Sequence, residues 1–109
     1  MTEKEELTTL KKKIEQKIIN VLKSIFDPEI PVDVYELGLI YEIKIDDELN
    51  VGIEMTLTSP NCPVAGQMPE WVEQAVNRAG HDKVRVNLTF EPPWTKEYVS
   101  EDGLLALGM

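Results

Sequence analysis

A chain of 109 residues, 42% of them hydrophobic, suits one small globular domain with a packed core and leaves no room for two. The net charge of −9 is carried beyond Lys23, where sixteen acids face five bases, and such a surface disfavours a nucleic-acid partner. No apolar run approaches a membrane span, the start Met1-Thr2-Glu3-Lys4 is charged where a secretory signal would be apolar, and a single cysteine allows no internal disulfide; a cytoplasmic protein is expected.

Leu7, Leu10, Ile14, Ile18, Val21, Leu22 and Ile25 recur at helical spacing, which predicts an amphipathic helix within residues 1–26 whose apolar stripe joins the core. Thr2 with Glu5 forms a capping-box signature at its start, and Pro28 pushes Asp27 out of the helical region at its end. Asp33 and Glu36 match a second capping box, for a single turn from Val34 to Leu37 closed by Gly38. Caps are commoner than catalytic carboxylates at this spacing, so both are read as structural.

Three alternating segments then predict strands. Leu39, Tyr41, Ile43 and Ile45 form the inward set of the first, Val51, Ile53, Met55 and Leu57 that of the second, and Val84, Val86, Leu88 and Phe90 that of the third. Between the second and third, Val64, Ala65, Met68, Val72, Ala75, Val76 and Ala79 predict a helix that Pro69 kinks or restarts and Gly80 caps. The expected fold is an α+β two-layer sandwich, helix–β-hairpin–helix–strand. It has a small three-stranded mixed sheet, helices on one face and a short C-terminal helical segment. The whole of 1–109 reads as one domain: an N-terminal helix (1–26), a motif-bearing core (27–95) and a C-terminal segment (96–109).

The hairpin turn Asp46-Asp47-Glu48-Leu49-Asn50 implies a register pairing Ile45 with Val51 and Leu39 with Leu57. A right-handed β-α-β crossover would make strand three parallel to strand two. The segments Asp27–Gly38, Thr58–Pro63 and Glu91–Thr95 then meet at one end of the sheet, where ligand sites favour the carboxyl ends of parallel strands. His81 falls at the opposite end and is expected to face solvent.

Cys62, in the turn Thr58-Ser59-Pro60-Asn61-Cys62-Pro63, is the residue most apt for chemistry. A thiol just before a helix feels unpaired N–H groups and the positive end of the dipole, which favour a thiolate and hence a nucleophile or metal ligand. A small buried hydrophobe is the alternative reading. Asp27 and Glu29, flanking Pro28, are its acidic neighbours in this topology. No P-loop, Gly-x-Ser-x-Gly, His-Glu-x-x-His or Cys-x-x-Cys is present.

Four linked motifs carry a resemblance: Asp27-Pro28-Glu29-Ile30-Pro31, Leu37-Gly38-Leu39-Ile40-Tyr41, Met55-Thr56-Leu57-Thr58-Ser59-Pro60-Asn61-Cys62-Pro63 and Phe90-Glu91-Pro92-Pro93-Trp94-Thr95. In this order and spacing they resemble the SufT/PaaD family over nearly everything from Ser24 onward. The resemblance implies an iron–sulfur assembly domain that acts as an accessory factor in cluster maturation or delivery and not as an enzyme. It implies that Cys62 is the functional thiol, supported by Asp27, Glu29, Thr58 and Ser59, with Trp94 as a hydrophobic cover or a core residue. The tail departs from relatives in lacking an arginine after Ser100-Glu101-Asp102.

Iron–sulfur clusters usually take four protein ligands, so one cysteine cannot hold a cluster alone. A homodimer could pair two Cys62 side chains, or Cys62 could bind a cluster transiently while a partner supplies the other thiolates. Alternatively, the domain is a cluster-free adaptor for client apoproteins, with Cys62 tuning the contact. The expected partners are the iron–sulfur assembly machinery and its client apoproteins. The competing classes are a thiol enzyme, which lacks a resolving cysteine and a well-placed histidine, and a KH-like RNA-binding domain, which lacks its Gly-x-x-Gly loop.

Overall fold

A computed structural model describes residues 2–26, 31–58, 67–81 and 83–108 of the protein. The first helix, α1, spans Glu3–Leu22, and Thr2 caps it by accepting the Glu5 N–H at 3.2 Å. It ends short of Pro28: the Ser24 and Ile25 N–H groups bond back three residues, to Val21 and Leu22, and tighten the last turn. Ile14, Ile18 and Leu22 are buried as expected, but Leu10 is 42% exposed and Leu7 only half-buried. Length explains the difference. Twenty helical residues extend about 30 Å, whereas strands of five or six residues reach only about 17–20 Å, so the first turns overrun the sheet. Lys11 Nζ, 2.5 Å from Asp47 Oδ1, ties this overhang to the hairpin.

Strands β1 (Ile40–Ile45), β2 (Val51–Met55) and β3 (Val84–Leu88) form one sheet in that order. β1 and β2 are antiparallel, and β2 and β3 are parallel, as the crossover predicts. Asp46 shapes the hairpin turn: Oδ1 accepts the Glu48 and Asn50 N–H groups at 2.9 and 2.8 Å, and Oδ2 accepts from the Asn50 amide at 2.9 Å. The predicted pair Ile45–Val51 forms. The predicted pair Leu39–Leu57 does not, because β1 carries a bulge between Ile40 and Glu42 that shifts the register by one. The Leu39 carbonyl consequently accepts from Thr56 N–H at 2.8 Å. The bulge also re-aims the side chains: Ile40 packs against the core, and Tyr41, expected inward, meets Tyr98 edge-on.

Between β2 and β3 runs α2 (Met68–Arg78), with Pro69 at its second position, where its missing N–H costs nothing. The helix therefore has this proline in its first turn; Val64 and Ala65 lie outside the described residues. Met68, Val72 and Val76 are fully buried in one core with Val51, Ile53 and Met55 of β2 and Ile14, Ile18 and Leu22 of α1. Each such side chain stabilises the fold by roughly 1.5–3 kcal/mol. In β3, Val84 and Val86 join this core with Phe90, while Leu88, expected inward, is 37% exposed. The chain closes with a 3-10 turn (Lys96–Tyr98) and a short helix, α3 (Glu101–Ala106), which fulfil the expected C-terminal helical segment. Among the described residues the architecture is the α+β arrangement read from the sequence, three α-helices with a small, open, three-stranded mixed sheet.

Candidate functional site

The chain is gathered at one end of the sheet by backbone hydrogen bonds. After α1, Ile25 and Phe26 pair with Val34 and Asp33: the Val34 N–H donates to the Ile25 carbonyl at 2.8 Å, and Phe26 bridges to Asp33. The expected single turn follows, with Asp33 Oδ2 accepting the Glu36 N–H at 3.0 Å and the Leu37 N–H donating to the Asp33 carbonyl at 3.0 Å. The Glu36 carboxylate turns elsewhere: it accepts from the Ser100 hydroxyl and lies 3.6 Å from Lys23 Nζ. Gly38 ends the turn at φ +78°, and a Cβ there would stand 2.2 Å from the Tyr98 carbonyl oxygen, so only glycine fits.

From this turn the chain enters β1 beside the exit of β2, and the exit of β3 lies on the other side, with the Thr89 N–H donating to the Met55 carbonyl at 2.8 Å. Trp94 closes the ring: its indole N–H donates to the Leu37 carbonyl at 2.7 Å while its half-buried ring packs on the core. Tyr41 binds the same loop, its hydroxyl donating to the Pro92 carbonyl at 2.7 Å. Burial, with the Tyr98 phenol close by, raises the Tyr41 pKa above its ordinary 10.0, against a hydrogen bond with Thr56 that lowers it. Thr56 was expected on an open polar face; it is wholly buried, beside Tyr41.

The predicted convergence therefore holds for the described residues: the turn before β1, the half-buried Thr58 beyond β2, and Trp94 after β3 share one end. Asp27, Glu29, Ser59 and Cys62 lie outside the described residues. Helix α2 begins at Met68, six positions beyond Cys62, and its N-cap Gln67 makes no side-chain cap. His81 sits at the opposite end, after Gly80, as predicted. It is half-buried and not solvent-facing: its Nε2 is enclosed, without a hydrogen-bond partner among the described residues. Sequence reasoning missed the clamp made by Glu36, Tyr41, Tyr98 and Ser100. Its only local signals were the cap pairs Thr95 with Glu97 and Ser100 with Gly103.

Against this geometry, a family model described as iron-sulfur cluster assembly protein matches residues 15–88, a span that includes the Cys62 turn. The chain belongs to this family. The resemblance to SufT-type proteins holds as well: a Staphylococcus aureus protein named Fe-S protein maturation auxiliary factor SufT is 36% identical over 78% of this chain and 98% of its own length. A Porphyromonas gingivalis protein named Fe-S protein maturation auxiliary factor is 45% identical over 86% of this chain and 90% of its own. The fold matches the crystal structure of a domain of unknown function from Bacillus anthracis, with TM-score 0.81 and 37% identity over 90% of this chain and 94% of that one. Trp94 and the C-terminal members of the clamp, Tyr98 and Ser100, lie beyond the stretch that the family model covers.

Proposed function

We propose that this family member is an accessory factor in iron–sulfur cluster assembly, working in the cytoplasm to mature or deliver clusters to client apoproteins through Cys62. The match across residues 15–88 carries the reading, because the auxiliary-factor relatives share that core. The gathering of the Leu37 turn, Thr58 and Trp94 at one sheet end supports it, since Cys62 follows Thr58 by four positions in the sequence.

The cluster is cargo in this account. A cluster usually needs four protein ligands, and Cys62 supplies one thiolate; the others come from the assembly machinery, the client or a second copy of the chain. Asp27, Glu29, Thr58 and Ser59 are the neighbouring polar groups. Thr58 and Ser59 suit a thiolate or cluster sulfide as hydroxyl donors, and Trp94 covers the site from the β3 side. The domain acts by contact and handover and not as a thiol enzyme. Such an enzyme asks for a base beside the nucleophile, and the chain's one histidine lies at the far end of the sheet.

Anaerobic reconstitution with iron and sulfide tests the thiol's part. Wild type is expected to show a weak, short-lived visible absorption that Cys62→Ser lacks. A long-lived stoichiometric cluster on the isolated protein, or equal uptake by both, would contradict the proposal.

A further inference from the structure

The face of the sheet opposite the helices carries a second feature, at the end remote from Thr58. Register places Lys44 beside Gly52 and Gly52 beside Arg85, one row across all three strands. These positions alternate with the core-packed Ile43, Ile53 and Val86, so their side chains belong to the open face. A groove of about 800 Å³ lies there, lined by Lys44, Asp46, Asn50, Gly52, Lys83 and Arg85. Beyond Lys23 the chain has only five basic residues against sixteen acids, and three of the five line this groove. Its one acid, Asp46, is engaged by the hairpin through Glu48 and Asn50. Lys44 also lies 3.6 Å from Glu42, an exposed pair of little strength. Gly52 leaves the floor bare: a Cβ there would meet nothing within 4 Å.

Strands about 4.8 Å apart set Lys44 and Arg85 roughly 10 Å apart at the backbone, within reach of one bound molecule from two sides. Glu42 and Glu54 form the next row on this face, where Glu54 accepts from the Asn87 amide at 3.1 Å. Acids farther off than the screening length of about 8 Å at physiological salt weigh little on the cluster. We propose that this groove binds a small multivalent anion bearing two or more carboxylate or phosphate groups. The guanidinium of Arg85 suits a bidentate grip, the two lysines act as point charges, and the glycine row lets the ligand approach the sheet backbone.

The test is a titration of the isotopically labelled full chain at physiological salt, followed by amide NMR, with citrate in one arm and pyrophosphate in the other. Saturable shifts centred on Gly52, Lys83 and Arg85 are expected, and the tighter probe distinguishes a carboxylate ligand from a phosphate one. Gly52→Val fills the floor with a residue that strands tolerate, and Arg85→Gln removes the fork. Each is expected to weaken binding at least about tenfold with an unchanged urea midpoint. If Gly52→Val proves unstable, Arg85→Gln alone decides. Absence of saturable shifts with both probes, shifts confined to the lysines of α1, or undiminished affinity in Arg85→Gln would overturn the proposal.

Discussion

Trp94 reads in the sequence as a cover for the Cys62 turn, and its indole N–H is committed to the Leu37 carbonyl at 2.7 Å. The side chain thus locks the loop after β3 to the turn before β1, a packing role that serves the site by fixing its walls. Trp94→Phe keeps an aromatic ring and leaves that carbonyl without its donor. A loss of about 1 kcal/mol is expected, read as a lower urea midpoint at unchanged slope. Asp46 gives a pH-dependent counterpart. Its hydrogen bonds from Asn50, first through the side-chain amide and then the backbone, hold its carboxyl below the ordinary 3.8. A depressed folded pKa means stabilisation that is present above the unfolded value and lost as pH falls through the folded one. Asp46→Ala should therefore lower the urea midpoint at about pH 6, and the gap to wild type should close as pH falls below about 3.8. A gap that persists in acid would assign the effect to turn geometry instead of charge.

The C-terminal segment is held by contacts far away in sequence. Ser100 caps α3 by accepting the Gly103 N–H at 3.0 Å, and its hydroxyl binds the Glu36 carboxylate across 64 positions. Gly103 lies so close that a Cβ would stand 2.8 Å from Val99 Cγ1 and 3.0 Å from the Glu36 carbonyl oxygen. Ser100→Ala should cost about 1–2 kcal/mol, and Gly103→Ala should release α3. Faster hydrogen exchange over residues 96–108, with the β2 amides unchanged, is the expected signature of both. This clamp was opaque in the sequence because capping signals specify a local turn and say nothing of what it docks on. The strands and the α2 stripe were legible because alternation and helical spacing are local consequences of burial on one face. The bulge at Tyr41 was not, since an extra residue leaves the alternating pattern intact while moving the register by one. Leu7 and Leu10 misled for a related reason: periodicity marks an apolar face, whereas the sheet's length decides how much of it finds a partner.

The layout of the molecule followed from two inferences, an in-phase hairpin and a parallel crossover; the crossover holds, and the hairpin holds from Ile45–Val51 as far as the bulge at Tyr41. Together they bring the ends of three segments to one edge, and Thr58 and Trp94 are found there. The family was legible only through linked motifs, because nothing in periodicity or charge gives a lone thiol a task. Under the proposed function, Cys62 takes part in cluster handover without being a permanent anchor. The most direct test follows activation of an iron–sulfur apoenzyme by a cluster-loaded scaffold protein, anaerobically, with the full chain or its Cys62→Ser variant added. The account predicts that wild type raises the activation rate, that Cys62→Ser loses most of the gain, and that the two unfold at the same urea concentration. Equal acceleration by both proteins would contradict it.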